Sequence, residues 1–140
     1  IATGRARDTF RQVIRLQGGD AGVVDDPGRL PRAAHLTQVK AQVGGFITKI
    51  HCERVGIASM MLGGGREKKE DAIDPAVGLV LEKKAGDAVA PGEILCTVHY
   101  NLDARLAPAM ELLGGSFEIG PQAPAAAPLV RKIIGEIPGA

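Results

Sequence analysis

Residues 63–95, GGGREKKEDAIDPAVGLVLEKKAGDAVAPGEIL, admit two readings, and the choice between them decides whether the chain does chemistry or frames it. Three glycines ahead of Arg66 let backbone N–H groups approach an anion. Residues 77–81, Gly86-Asp87, Pro91-Gly92 and residues 94–98 spell strand, turn, turn, strand. Both hold at once if the loop is mounted on the strands.

Upstream, residues 36–43 and 46–50 read as the two strands of a hairpin around Gly44-Gly45. Phe46, Thr48 and Ile50 fall on one face of the second strand and Ile47 and Lys49 on the other, which makes Phe46 a core residue. Over residues 53–62, Val55, Ala58, Met61 and Leu62 share one helical stripe, and Gly63 ends that helix as a C′ residue. Downstream, strands over 77–82 and 94–100 are followed by Asn101 as the cap of a helix bearing Leu102, Leu106, Ala109, Met110 and Leu113. Gly114-Gly115 closes it, and residues 116–119 form one more short strand. The elements make a small α+β, β-rich domain with flanking helices. Residues 121–128 are a proline and alanine linker and 129–134 a last apolar strand. At the other end, Ala6, Phe10, Val13 and Ile14 recur at helical spacing over residues 6–17. Residues 20–31 form a turn-rich connector with one helical turn, and a domain boundary falls near Arg32.

With 140 residues, 45% of them hydrophobic, the chain can bury the core of about one domain. Seventeen basic residues against sixteen acidic ones, a formal charge of +1, leave no electrostatic footprint for nucleic acid. No apolar stretch reaches the roughly 18 to 20 residues of a membrane span. Two distant cysteines, Cys52 and Cys96, suit a reducing compartment, so a cytoplasmic location is expected. The first residue is Ile1 and a helix follows almost at once, which suggests a fragment of a longer protein.

Several chemistries can be weighed on residue type and spacing. His51, Cys52, Cys96 and His99 are zinc-type ligands, but on extended chain each neighbouring pair diverges, so buried thiols and partly buried histidines are expected instead. Ser59 and Ser116 lack a nucleophile-elbow pattern. Glu67, Glu70, Asp71 and Asp74 offer an acid/base pair or a cation site, yet a mixed-charge loop is usually solvated, and Asp74 before Pro75 suits a turn. The glycines precede Arg66-Glu67 rather than the Lys and Ser or Thr of a nucleotide phosphate loop, and they follow a helix rather than a strand. Residues 78–95 resemble the entry strands of biotinyl and lipoyl domains, but Met-Lys-Met and Asp-Lys-Ala are both absent.

Gln17-Gly18-Gly19-Asp20 with Val23-Val24-Asp25-Asp26-Pro27, then Gly63-Gly64-Gly65-Arg66, Asp71-Ala72-Ile73-Asp74-Pro75-Ala76-Val77-Gly78, Lys83-Lys84-Ala85-Gly86-Asp87 and His99-Tyr100-Asn101 occur in one order. In that order they closely resemble the C-terminal third of thymidine and pyrimidine-nucleoside phosphorylases, from the first helix to about Gly120. The resemblance implies an α+β domain of barrel-sandwich or hammerhead-like type over residues 32–120, preceded over 1–31 by the last helix of an α/β domain and its connector, with 121–140 as linker and terminal strand. It implies an enzyme, a pentosyltransferase, that cleaves a pyrimidine nucleoside with inorganic phosphate to the free base and a pentose 1-phosphate. Phosphate is then the co-substrate, and no cofactor or metal is expected in this chain. The family's Lys-His-Ser-Thr-Gly-Gly phosphate segment and its base-holding Arg, Ser and Lys belong to earlier helical and α/β domains, so no catalytic residue carries over. A homodimer is implied for the whole protein, and the fragment alone is expected to be inert. Gly64, Gly65 and Arg66 remain as a loop that approaches the cleft. The rival expectation is a free-standing biotinyl- or lipoyl-like carrier or interaction module.

Overall fold

The computed structural model describes residues 2–66, 68–126, 128, 130 and 132–135. Its elements are α1 (Arg5–Leu16), two 3-10 turns (Ala21–Val24 and Pro27–Arg29), β1 (His35–Lys40), β2 (Gly45–Ile50), α2 (Cys52–Ser59) running into a widened turn (Met60–Gly64), β3 (Gly78–Leu81), β4 (Ala88–Val89), β5 (Ile94–Tyr100), α3 (Asp103–Gly114) and β6 (Phe117–Gly120). Two three-stranded antiparallel sheets result, ordered β1-β5-β3 and β4-β2-β6. The fold is α+β, as the sequence pattern predicts.

The first strand pair is not a hairpin. β1 lies at the edge of one sheet and β2 at the centre of the other. Ala41 explains the divergence: its N–H donates to the Glu93 carbonyl at 2.9 Å, and its own carbonyl accepts from Gly92 N–H at 2.8 Å. The chain leaving β1 therefore follows the turn ahead of β5 instead of folding back on itself. At Gly45 a Cβ would lie 2.5 Å from the Gly120 carbonyl oxygen, so only glycine lets β2 approach β6 this closely.

A register shift between Ile47 and Lys49 in the β2–β6 pair corrects the expected facing of β2. The bulge breaks the two-residue alternation, so Ile47 and Ile50 both face one core while Lys49 is exposed. Ile47 is fully buried and Phe46 only half-buried, which reverses the expectation that Phe46 is the core residue.

β5 serves two cores. Cys96 and Val98 join Val39, Ala58, Leu62, Ala109 and Leu113 under the α2–α3 pair, while Leu95 joins Ala41, Ile47 and Val89 between the sheets. Phe117 packs against both. The stripe Val55, Ala58, Met61, Leu62 and the run Leu106, Ala109, Met110, Leu113 thus meet the sheet as their spacing predicts. Leu102 does not: it precedes α3 and is exposed.

α1 and the two 3-10 turns pack on each other and are tied by ion pairs. Asp25 accepts from Arg7 and, at 2.8 Å, from Arg11, and Arg29 meets Asp20 at 2.8 Å. The apolar stripe of α1 is uncovered, with Phe10 57%, Val13 41% and Leu16 80% exposed. The strand expected over 129–134 falls partly on residues 129 and 131, outside the described residues; 130 and 132–134 carry no strand.

Candidate functional site

The glycine-rich loop grows out of the end of α2. Wide hydrogen-bonded spacing over Met60–Gly64 lets the last turn swell, and Gly63 then reverses the chain at φ 108° and ψ 2°. Gly63 is buried. A Cβ on Gly64 would lie 3.1 Å from both the carbonyl oxygen and Oγ of Ser59, and one on Gly65 would lie 3.1 Å from Cγ of Met60. All three glycines are explained by a chain folding back tightly on its own helix. Arg66 follows, exposed, with no hydrogen-bond or ion-pair partner among the described residues.

The loop's return limb is held by Asp74. Its N–H donates to the Gly63 carbonyl at 2.9 Å, so the two ends of the segment are pinned together. Its Oδ1 accepts from the Ala76 N–H at 2.9 Å across Pro75, the turn that the sequence predicts. Its Oδ2 accepts from Asn101 Nδ2 at 2.7 Å. The Ala76 N–H, and after it the Asn101 carboxamide, hold the Asp74 carboxyl below the usual carboxylate range. Asp71 closes a smaller turn, accepting from Lys68 N–H at 2.9 Å. Glu70 is exposed, and Glu67 lies outside the described residues.

Two residues at this loop were not legible in the sequence. Asn101, predicted as a helix cap, does not cap: the position before α3 is Leu102, and the Asn101 carboxamide is committed to Asp74 and to Ala34, whose N–H it accepts at 2.7 Å. Arg105, in the first turn of α3, reaches over Gly63, with Nη1 3.1 Å from where a Cβ there would stand. Only the packing of α3 beside the loop brings it there.

The other candidates are scattered. Cys96 is buried in β5, where loss of water and then the charge of Glu82 push its thiol up to about 11. Cys52 is exposed at the start of α2, and His51 Nε2 lies 2.6 Å from Glu118 Oε1. Among the described residues no three His, Cys, Asp or Glu side chains gather as metal ligands. Ser116 is buried with Oγ donating to the Leu112 carbonyl at 2.8 Å, a helix-end contact. Lys83 on the β3–β4 turn is paired with Glu93, whose carboxyl is lowered first by that lysine and then by the Ala90 N–H. No helix among the described residues is long and apolar enough to cross a membrane.

This sequence has counterparts in other proteins. Residues 46–120, more than half of the chain, match the family described as the pyrimidine nucleoside phosphorylase C-terminal domain. The chain belongs to that family. The pyrimidine-nucleoside phosphorylase of Staphylococcus haemolyticus (strain JCSC1435) is 44% identical to it over 137 residues, 97% of this chain and 31% of that protein. Those of Geobacillus stearothermophilus and Staphylococcus aureus (strain USA300) are each 50% identical, over 70% and 72% of this chain and 23% of theirs. The chain thus spans between about a quarter and a third of the length of these curated relatives. The family match favours a part of such an enzyme over a free-standing carrier or interaction module.

Proposed function

We propose that this chain is the C-terminal part of a pyrimidine-nucleoside phosphorylase, a pentosyltransferase that uses inorganic phosphate to cleave a pyrimidine nucleoside into free base and pentose 1-phosphate. The observation that carries the reading is the 44% identity maintained over 97% of the chain, α1 included, with a relative of that name. In this reading residues 1–31 complete the preceding α/β domain, 32–120 form the C-terminal domain, and 121–140 follow as a tail. The uncovered Phe10, Val13 and Leu16 of α1 support the first assignment, since an apolar stripe of this kind calls for a packing partner.

The chain contributes no catalytic residue. Nucleoside and phosphate are bound by the helical and α/β domains, and the whole protein works in the cytoplasm as a homodimer without a cofactor. Gly64, Gly65 and Arg66 lean toward the cleft between domains, where the exposed Arg66 meets anionic charge, with Arg105 behind it at Gly63. Backbone and guanidinium groups of this kind act by electrostatic positioning rather than by proton transfer. Reading the coding sequence upstream of Ile1 tests the proposal: it should encode a helical domain with a Lys-His-Ser-Thr-Gly-Gly segment, and an upstream sequence without one would refute it.

A further inference from the structure

Asn101 stands where three segments meet. Its Oδ1 accepts from Ala34 N–H, three residues past the end of the connector, at 2.7 Å. Its Nδ2 donates to Asp74 Oδ2 at 2.7 Å, and Asp74 in turn closes the glycine-rich loop through its N–H to the Gly63 carbonyl at 2.9 Å. The residue itself sits at the corner between β5 and α3, both anchored in the core by Val98, Ala109 and Leu113. A single carboxamide thus joins the rigid body of the domain to the connector on one side and to the loop on the other. A carboxamide suits this position because it offers a donor and an acceptor on one short, planar group.

We infer that Asn101 is a positioning residue, which together with Asp74 forms a clip setting the glycine-rich loop in register with the connector from residues 1–31. The inference rests on the proposed function for its catalytic consequence, but not for the clip itself. When residues 1–31 move with a preceding domain, the pull arrives at Ala34, and the clip carries it to Asp74 and so to Gly63. Arg66 then keeps its place relative to the cleft as the domains shift. The bond to Asp74 is charge-assisted, which makes it the strongest link of the relay and the one whose loss frees the loop.

Asn101→Asp separates the two halves of the clip. One oxygen still accepts from Ala34 N–H, while the other has no hydrogen to give Asp74 and repels it. Combining it with Asp74→Asn exchanges carboxylate and carboxamide and restores a donor and an acceptor to every bond. In the intact protein carrying this chain, amide hydrogen exchange over residues 63–76 should quicken about tenfold in Asn101→Asp, as expected on losing one charge-assisted hydrogen bond, and return to the original rate in the double variant. Unchanged exchange in the single variant, or no recovery in the double, would overturn the clip. In phosphorolysis assays Asn101→Asp should raise KM for inorganic phosphate with kcat little changed, and the exchanged pair should recover it. An active parent protein whose KM ignores both variants would overturn the positioning role. A parent protein without phosphorolysis would count against the proposed function, with exchange alone then deciding the clip.

Discussion

At Gly63 the backbone adopts φ 108°, a conformation that L side chains reach only with strain, and a Cβ there would lie 3.1 Å from Arg105 Nη1. Gly63→Ala should therefore lower stability by roughly 1–2 kcal/mol, read as a shift in the urea midpoint; an unchanged midpoint would show that the turn is not strained. Arg66 presents the opposite case, exposed and without a partner among the described residues. Arg66→Ala should leave stability within about 0.5 kcal/mol of the parent while weakening turnover or substrate affinity in the intact enzyme, and unchanged kinetics would remove the loop from the site. The two thiols also differ. Cys96 is buried, with its pKa pushed up to about 11, whereas Cys52 is exposed. A colourimetric thiol reagent at neutral pH should titrate one cysteine in the native protein and a second only after unfolding; rapid reaction of both would contradict the burial of Cys96. Asp25, Asp74 and Glu93 are all held below their ordinary values by hydrogen-bond donors. Acids shifted this way stabilise the fold above their unfolded pKa and cease to do so as pH falls through the folded one. The urea midpoint should hold from neutral pH to about 5 and fall below about 4, and a midpoint that rises toward pH 3 would contradict these contacts.

Among the elements, β5 and the α2–α3 pair follow from the sequence because their apolar spacing matches the surface they bury. β2 does not, since the bulge after Ile47 shifts the face of everything beyond it, and no residue type announces a bulge there. The false hairpin between β1 and β2 has a related cause: Gly44-Gly45 is a turn signal in either fold, and only the pairing of Ala41 with the 91–93 turn sends the chain to the second sheet. Local signals mark where the chain bends, and distant partners choose which strand it meets. Asn101 belongs with these cases, its capping signal overridden by two partners far away in sequence. The corrected facing of β2 has a measurable consequence. Ile47→Ala should cost roughly 2–5 kcal/mol, and Phe46→Ala clearly less, by urea unfolding; the reverse order would restore the regular alternation.

For the molecule as a whole, the glycine-rich loop is a structural feature first. Gly64 and Gly65 are required by close approach to Ser59 and Met60, the limbs are joined at Gly63 and Asp74, and Arg66 in the loop and Arg105 over Gly63 bring positive charge to it. The order of motifs along the chain carried the family, and membership in the pyrimidine nucleoside phosphorylase C-terminal domain family agrees with it. Chemistry was not legible in these residues, because nothing here pairs a nucleophile with a base or gathers metal ligands among the described residues. In the intact protein, release of free base from uridine or thymidine can be measured with and without inorganic phosphate. Base and pentose 1-phosphate should form in equal amounts and only when phosphate is present; release that is absent, or that proceeds equally well without phosphate, would contradict the account.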